Sequence, residues 1–355
     1  MRSASSAYGS NVPAAASVRV PRMREARNRM PSLTRCTTSR WPIAHRWPYQ
    51  TGQPDTRTDI MTRGVIRRTI SCLGLCVVAT FLGGGQVLAQ TADAAMSRIK
   101  ANGEVVIGYR QSSIPFSYLD SSQKPVGYTI DLCMAVVENL KRQLGGKDLK
   151  VRFVPVDLTT IIPLLQNRTI DMECGSTVHT VKRAAQVDFS LVTMAAADQL
   201  LVKSDSKVQQ IEDLNGQALA VIAGSTNAAL AQSLNNQHKL GIRLVFVKDQ
   251  AEGFLAVSTG RAQAYMTDNV ILHGLQKRAS DPSQFRVVGR DLSYLPYGIV
   301  LAPNNSSLGS VVDATLSGMY SSGAAKALYT KWFVPIGMPL GNDTEQIFRV
   351  QTFPN

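Results

Sequence analysis

The sequence predicts an α/β protein with about two domains. Short apolar runs of strand type alternate with helical patterns along the chain, which favours a parallel or mixed sheet packed with helices. The length of 355 residues exceeds what one small core usually organises. A hydrophobic content of 44% and a charged content of 18% are typical of globular proteins.

The net charge of +13 belongs mostly to the N-terminal segment. Residues 1–90 contain 13 Arg, no Lys and 3 acidic residues, whereas residues 91–355 contain 25 basic and 22 acidic residues. A nucleic-acid-binding protein would need a basic face on its folded part. The near balance of charge after residue 90 therefore predicts no nucleic-acid partner.

The N-terminus has the pattern of an extension followed by an export signal. Residues 1–60 lack apolar periodicity and fit an over-extended reading frame, a disordered extension or an organelle transit peptide. Residues 61–89 combine an Arg-rich start, an apolar run from Ile70 to Leu82 and a small-residue cleavage pattern at Val87-Leu88-Ala89. These are the three parts of a secretory signal peptide, and the apolar run is too short to span a bilayer. We expect a mature protein that begins near Gln90 and resides in the periplasm.

After residue 90, predicted strands and helices follow one another in order. The strands are short apolar runs that end at glycine or polar residues: Val105–Gly108, Val151–Val156, Ile170–Cys174, Gln199–Lys203, Leu219–Ile222, Leu244–Val247, Ala264–Asp268, Val287–Gly289 and Ile299–Leu301. The helical stretches are residues 92–102, a helix after Gly127-Tyr128 that ends near Leu144, Thr159–Asn167, Ala228–Leu234, a helix containing Phe254–Val257 and the region Leu308–Trp332. Pro163 is tolerated because it falls in a first helical turn.

Two predicted strands end in a glycine turn that leads into a helix. The first turn is Gly175-Ser176-Thr177, followed by Thr180 as helix N-cap and Arg183 at the third helical position. The second is Gly224-Ser225-Thr226. Helix N-terminal N–H groups and a bidentate Arg are how proteins hold a carboxylate. Both turns are therefore candidate anion sites, although the first, taken alone, fits a surface turn with a solvated Arg better.

These two turns belong to a series of motifs that occur along the chain in a characteristic order. They are Tyr109-Arg110, Pro115-Phe116-Ser117-Tyr118, Gly127-Tyr128, Ile162-Pro163-Leu164-Leu165, Asp171, Gly175-Ser176-Thr177 with Arg183, Asp188-Phe189-Ser190, Gly224-Ser225-Thr226, Gly260-Arg261-Ala262, Asp268 and Lys331-Trp332-Phe333. Their order and spacing resemble the periplasmic amino-acid-binding proteins of ABC importers, and most of all the glutamate/aspartate-binding branch. The resemblance covers about residues 96–335.

This resemblance implies the type II periplasmic-binding-protein fold, in which two α/β lobes are joined by two crossing hinge strands and enclose the ligand. On that pattern, lobe 1 comprises residues 96–193 and 297–340, and lobe 2 comprises residues 198–293. The implied partners are an amino-acid ligand and an ABC permease in the inner membrane, and the protein is expected to be a monomer. The sequence shows no metal-ligand cluster and no Gly-rich nucleotide loop, so no metal or cofactor is expected.

The resemblance also assigns residues to the charges of a free amino acid, which must be paired when buried. Arg183, with donors around Ser176 and Thr177, would bind the α-carboxylate from lobe 1. The Ser225-Thr226 turn would bind it from lobe 2. Asp268 would accept hydrogen bonds from the ammonium group.

The ligand side chain would meet a second set of residues. Arg110 would bind a side-chain carboxylate, Ser113 and Gln250 would add neutral hydrogen bonds, and Phe116 would form an aromatic wall. The expected ligand is a polar L-amino acid, glutamate or aspartate first.

The chain departs from the acidic-ligand pattern at four positions. Val178 stands where the family usually has Thr, Ile161 replaces an Arg, Leu158 replaces a polar residue and Gln250 replaces a His. These changes make the side-chain end of the pocket less cationic. They predict weaker binding of acidic ligands and competition from glutamine or asparagine.

An enzyme of the same fold, dehydratase-like, is the alternative. Glu173 could serve as an acid, but its position in a strand beside Cys174 is typical of a satisfied structural carboxylate. No nucleophile elbow supports catalysis, so no catalytic residue is expected. Cys133 lies on an apolar stripe and is interpreted as a core thiol, while its pairing with Cys174 depends on a proximity that sequence does not reveal.

Overall fold

The computed structural model describes residues 94–146 and 148–354. The expected extension, residues 1–60, and the expected signal peptide, residues 61–89, lie outside the described residues. Within those two ranges, no helix is both long enough and apolar enough to cross a bilayer.

Ten α-helices are found in the described part of the chain. They are α1 (Ala94–Asn102), α2 (Tyr128–Gln143), α3 (Ile161–Gln166), α4 (Val181–Ala184), α5 (Thr226–His238), α6 (Gln250–Ser258), α7 (Asn269–Arg278), α8 (Ser306–Ser322), α9 (Ala324–Phe333) and α10 (Asn342–Val350). Thr180 caps α4 as predicted, since its side chain accepts a hydrogen bond from the Arg183 N–H.

The same described residues form fifteen strands. They are β1 (Glu104–Tyr109), β2 (Ser112–Ser113), β3 (Ser117–Leu119), β4 (Pro125–Val126), β5 (Lys150–Pro155), β6 (Met172–Glu173), β7 (Asp188–Phe189), β8 (Met194–Ala196), β9 (Asp198–Lys203), β10 (Ala218–Ile222), β11 (Arg243–Val247), β12 (Ala264–Asp268), β13 (Phe285–Val288), β14 (Leu295–Tyr297) and β15 (Val300–Leu301). Every residue of β10 is buried, as expected for a central parallel strand covered on both faces.

Two five-stranded mixed sheets form the framework. The first has the order β5-β1-β6-β15-β7 and the second β11-β10-β12-β9-β13. In each sheet three neighbouring strands are parallel and the other two pairings are antiparallel. We call the units built on these sheets lobe 1 and lobe 2. The predicted mixed α/β fold is confirmed.

The chain passes between the two sheets twice, through neighbouring strands. β8 connects β7 of lobe 1 to β9 of lobe 2, and β14 connects β13 of lobe 2 to β15 of lobe 1. The two connections pair antiparallel, with Leu295 opposite Ala196 and Tyr297 opposite Met194. A two-stranded ribbon of this kind is the natural place for the lobes to rotate about.

A disulfide bond joins Cys133 of α2 to Cys174 at the end of β6, across 41 residues of sequence. The interpretation of Cys133 as a free core thiol is therefore corrected. The residue is buried on the apolar stripe with Val136 and Val137, but that stripe faces the end of β6, where Cys174 lies. The bond fixes the start of the Gly175 turn to the helix beneath it.

The C-terminal region differs from the predicted helical stretch Leu308–Trp332. It consists of two helices, because Gly323 adopts a φ of 80° and ends α8 with a left-handed cap. α10 then returns onto α8, where the Phe348 ring stacks on Tyr320 at a centroid distance of 4.8 Å. The sequence prediction did not identify α7, α10 or the short strands β2, β3, β4, β7, β8 and β14.

Candidate ligand-binding cleft

In lobe 1 the site is built at the carboxyl ends of β1 and β6. These strands are parallel, with Gly108 opposite Glu173. The chain therefore leaves both strands at the same edge of the sheet and places Arg110 beside the Gly175 turn. The carboxyl edge of a parallel sheet is the usual position of binding sites in α/β proteins.

Lobe 2 contributes the ends of β10 and β12. After β10, Ser225 caps α5, and its hydroxyl accepts a hydrogen bond from the Ala228 N–H at 2.9 Å. β12 ends at Asp268, immediately before α7. A helix N-terminus and a buried carboxylate thus lie side by side at this edge.

One narrow cavity is lined by residues of both lobes. Its lining consists of Arg110, Leu158, Ser176, Val178, Arg183, Ile222, Ser225, Thr226, Asn227, Gln250 and Asp268. The structure thus brings together seven of the predicted ligand-binding residues: Arg110, Ser176, Arg183, Ser225, Thr226, Gln250 and Asp268. The cavity volume is about 10 Å³, which is room for about one water molecule. The lobes are therefore closed on each other.

Three predicted residues do not line this cavity. Phe116 is fully buried in an aromatic cluster, 5.0 Å from the Tyr297 ring and 5.4 Å from the Phe333 ring. Ser113 is fully buried in β2, which pairs with β3. Thr177 faces a small apolar cavity behind the site. Packing in the core takes these side chains away from the cavity.

Arg183 lies where the first turn and α4 meet. Its Nη1 donates to the Val178 carbonyl at 2.9 Å, which holds the guanidinium against the turn. Burial lowers the pKa of Arg183, and the negative charges of Glu173 and Asp268 oppose that shift. The guanidinium thus stands between one acidic group of each lobe.

Asp268 belongs to a buried polar network that links lobe 2 to the hinge. Asn227 donates to Asp268 at 2.7 Å and also to Asp198, while the Tyr297 hydroxyl donates to the other oxygen of Asp268. Burial and then the nearby negative charge of Asp198 raise the pKa of Asp268 to about 6. Burial also raises the pKa of Asp198. Two buried carboxylates therefore share one neutral amide.

The opposite end of the cavity is cationic. Arg110 is 3% exposed, and its guanidinium makes no hydrogen bond or ion pair with any other described residue. Gln250 lies near it, and its Oε1 accepts a hydrogen bond from the Tyr265 hydroxyl. The amide nitrogen of Gln250 is then the group left to donate into the cavity.

Glu173 is completely buried behind Arg110. A Cβ atom at Gly175 would collide with the Glu173 Oε1 atom and would lie 2.7 Å from Arg110 Cγ, so the carboxyl folds over the glycine beside the arginine. Neither carboxyl oxygen has a hydrogen-bond partner in the described ranges. The expectation that Glu173 is a satisfied structural carboxylate is therefore corrected.

The electrostatic setting of Glu173 follows from this position. Burial raises its pKa to about 7, and the charge of Arg110 limits the rise. The Thr177 hydroxyl and the Gly175 N–H lie nearby and also favour the ionised form, but neither meets hydrogen-bond geometry with the carboxyl. The group can therefore change its charge near neutral pH.

Two of the four departures from the acidic-ligand pattern fall on the cavity wall as apolar groups. Leu158 and Val178 line the cavity directly. Ile161 does not; it is buried and faces the small apolar cavity that Thr177 also lines. The Arg110 end of the cavity therefore has a single cation flanked by apolar groups and one amide.

Sequence reasoning missed Asp198, Asn227 and Tyr297 as parts of the site. Asp198 lies opposite Asp268 because β9 and β12 pair antiparallel in that register. Asp198 is an acidic residue at the first position of a buried strand, and this was a signal in the sequence that it belongs to a site. The neighbour of Thr226 in the second glycine turn, Asn227, was another.

Comparison with known proteins extends these observations. Residues 105–335 match the family described as bacterial extracellular solute-binding proteins, family 3. The chain is 37% identical over 245 residues to the glutamate/aspartate import solute-binding protein of Salmonella typhimurium, covering 69% of this chain and 81% of that protein. It is 36% identical over 272 residues to the L-glutamate/L-aspartate-binding protein of Pseudomonas aeruginosa, covering 76% and 90%.

A solved structure shows the same architecture. An ancestral arginine-binding protein bound to glutamine is 30% identical and superposes with a TM-score of 0.59, covering 65% of this chain and 98% of that chain. The two-lobed type II fold implied by the sequence resemblance is therefore confirmed. With a family match over residues 105–335, more than half of the chain, and two relatives above 35% identity, the chain belongs to the bacterial extracellular solute-binding proteins, family 3.

Proposed function

We propose that this protein binds glutamate or aspartate between its lobes and delivers it to an ABC permease. The names of the relatives support this ligand class, since both are glutamate/aspartate-binding proteins and one is an import protein. They are binding proteins, so the dehydratase-like alternative is not favoured. The proposal also includes export to the periplasm and action as a monomer.

The observation that carries the proposal is the distribution of charge along the cavity. Arg110 and Arg183 face it from lobe 1, while Asp268 faces it from lobe 2 with Asp198 behind. A free amino acid has the complementary pattern, with carboxylates that need cations and an ammonium group that needs carboxylates. An ammonium group near Asp268 would relieve the repulsion between the two aspartates.

The side chain of the ligand is assigned to the Arg110 end. A buried guanidinium that has no partner within residues 94–146 and 148–354 would pair with a second carboxylate, and the amide nitrogen of Gln250 would add a neutral donor. Leu158 and Val178 provide no donor there. Acidic amino acids would therefore make fewer polar contacts here than in the acidic-ligand pattern, which has further cationic residues at this end. Glutamine and asparagine would compete with them for the site.

Binding in such a cavity requires the lobes to open. A volume of about 10 Å³ admits no amino acid, so ligand must enter an open form and be enclosed afterwards. The contacts from both lobes would then select the closed form. A permease can use that closure to recognise loaded protein. The two-stranded ribbon of β8 and β14 is the proposed hinge.

Isothermal titration calorimetry with glutamate, aspartate, glutamine and asparagine tests the ligand class. Arg183→Ala and Asp268→Asn should each weaken binding by about 3–5 kcal/mol, because each leaves a buried ligand charge unpaired. Arg243→Ala and Asp205→Asn change exposed residues of the same types and should leave affinity unaltered. Wild-type affinity in either site variant would remove that residue from the proposed site.

A further inference from the structure

Glu173 has no role in the proposed binding contacts, yet it is the buried acidic group next to the ligand's side-chain end. It lies at the carboxyl end of β6, is 0% exposed and has no hydrogen-bond partner among residues 94–146 and 148–354. An unpaired buried carboxyl is costly unless its charge or its proton is used. Glu173 lies beside Arg110, because both side chains closely approach Gly175. This position indicates that Glu173 acts on the charge of Arg110.

The part of the chain that the structure describes places two arginines near Glu173. Arg110 approaches from the end of β1 and Arg183 from α4. The strands that flank β6 contribute Gly108 and Val300 opposite Glu173, and neither carries charge. From lobe 2, the negative charge of Asp268 acts on Arg183, and Arg183 in turn acts on Glu173.

We propose that Glu173 sets the side-chain charge that the cleft accepts, by cancelling or releasing the charge of Arg110. Ionised Glu173 makes the pair neutral and favours a neutral amide side chain, as in glutamine. Protonated Glu173 leaves Arg110 as a net cation and favours an acidic side chain. This inference rests on the proposed function, because it assumes that amino acids bind in this cavity.

The inference predicts a pH-dependent selectivity. With a pKa of about 7, about one thirty-second of Glu173 is protonated at pH 8.5. If acidic ligands require the protonated form, glutamate affinity relative to glutamine should fall about 30-fold between pH 6 and pH 8.5. Asp268 titrates in the same range, but it faces the ammonium group that both ligands share, so its effect cancels in the ratio.

The test is calorimetric titration of the full chain with glutamate and glutamine from pH 5.5 to 8.5. In the wild type and in Glu138→Gln, an exposed control, the affinity ratio should fall with pH. In Glu173→Gln the ratio should stay constant at the wild-type value for low pH. Parallel pH courses in wild type and Glu173→Gln would overturn the inference.

A second measurement uses no variant. At pH 7.5 about three quarters of Glu173 is ionised when the pKa is about 7, so glutamate binding should take up close to that fraction of one proton. Titrations in two buffers of different ionisation enthalpy measure this uptake, with glutamine binding as the reference. Equal proton uptake for the two ligands would refute the role of Glu173 while leaving the proposed function intact. Failure of both ligands to bind would instead refute the proposed function, and this inference with it.

Discussion

The disulfide between Cys133 and Cys174 should contribute strongly to stability and can be removed without changing any side-chain volume. Reduction with dithiothreitol breaks the bond but keeps both sulfur atoms in the core. The expected effect is therefore loss of the cross-link alone, free of the cavity that an alanine substitution would leave.

The magnitude follows from the 41 residues that the bond spans. Cross-linking a loop of that length lowers the entropy of the unfolded chain by about 13 cal/mol/K, which corresponds to about 4 kcal/mol at 25 °C. The reduced protein should lose about that much free energy of unfolding. Because Cys174 directly precedes the Gly175 turn, amino-acid affinity should fall as well.

Urea unfolding with and without dithiothreitol measures the effect. The double variant Cys133→Ala/Cys174→Ala is the matched control, because it lacks both sulfur atoms of this bond and should not respond to the reductant. If the wild type and the double variant lost the same free energy on reduction, the bond between α2 and β6 would make no contribution and the reasoning would fail.

Three further predictions concern the site. Val178→Thr adds a hydroxyl to the cavity wall and should tighten glutamate binding by about 1 kcal/mol in calorimetry. The control Val181→Thr changes a residue that is 91% exposed and should leave glutamate binding unchanged. Weaker glutamate binding by Val178→Thr would contradict the placement of Val178 on the cavity wall. Gly175→Ala should lower the free energy of unfolding in urea by about 1–3 kcal/mol, because the new methyl group would collide with the Glu173 carboxyl. The control is Gly318→Ala, which adds a methyl group in open space within α8. Equal free energies of unfolding in the two variants would disprove the close approach at Gly175. Burial raises the pKa of Glu173 from 4.5 to about 7, so its contribution to stability is present below pH 4.5 and is lost as pH rises through 7. The free energy of unfolding should therefore fall by about 3 kcal/mol by pH 8, and this fall should be missing in urea titrations of Glu173→Gln. A fall that persists in Glu173→Gln would belong to other groups.

Local patterns predicted the elements that carry the site. The strand, glycine turn and capped helix around Gly175 and Thr180 were predictable because each depends on residues a few positions apart. The same holds for the turn at Ser225. The break at Gly323 was missed because a glycine inside a helical pattern can also continue the helix.

Contacts between distant segments could not be predicted in this way. Cys133 and Cys174 are 41 residues apart, and only the packing of α2 on β6 reveals that they meet. Asp198 and Asp268 face each other because of one register between β9 and β12, and a shift by one residue would turn Asp198 to the other face of the sheet. The unpaired state of Glu173 is likewise a property of the packed core.

The polar network at Asp268 would connect the charge of a bound amino acid to the hinge. Tyr297 lies on the hinge strand β14, donates to Asp268 of lobe 2 and packs its ring on Phe116 of lobe 1 at 5.0 Å. An ammonium group beside Asp268 would stabilise the ionised carboxylate and strengthen the charge-assisted hydrogen bond from Tyr297. The same ligand would place its α-carboxylate against Arg183 of lobe 1. Closure would therefore be stabilised from both sides of the cleft by the charges that every α-amino acid carries, and this leaves Arg110 and Glu173 free to distinguish one side chain from another.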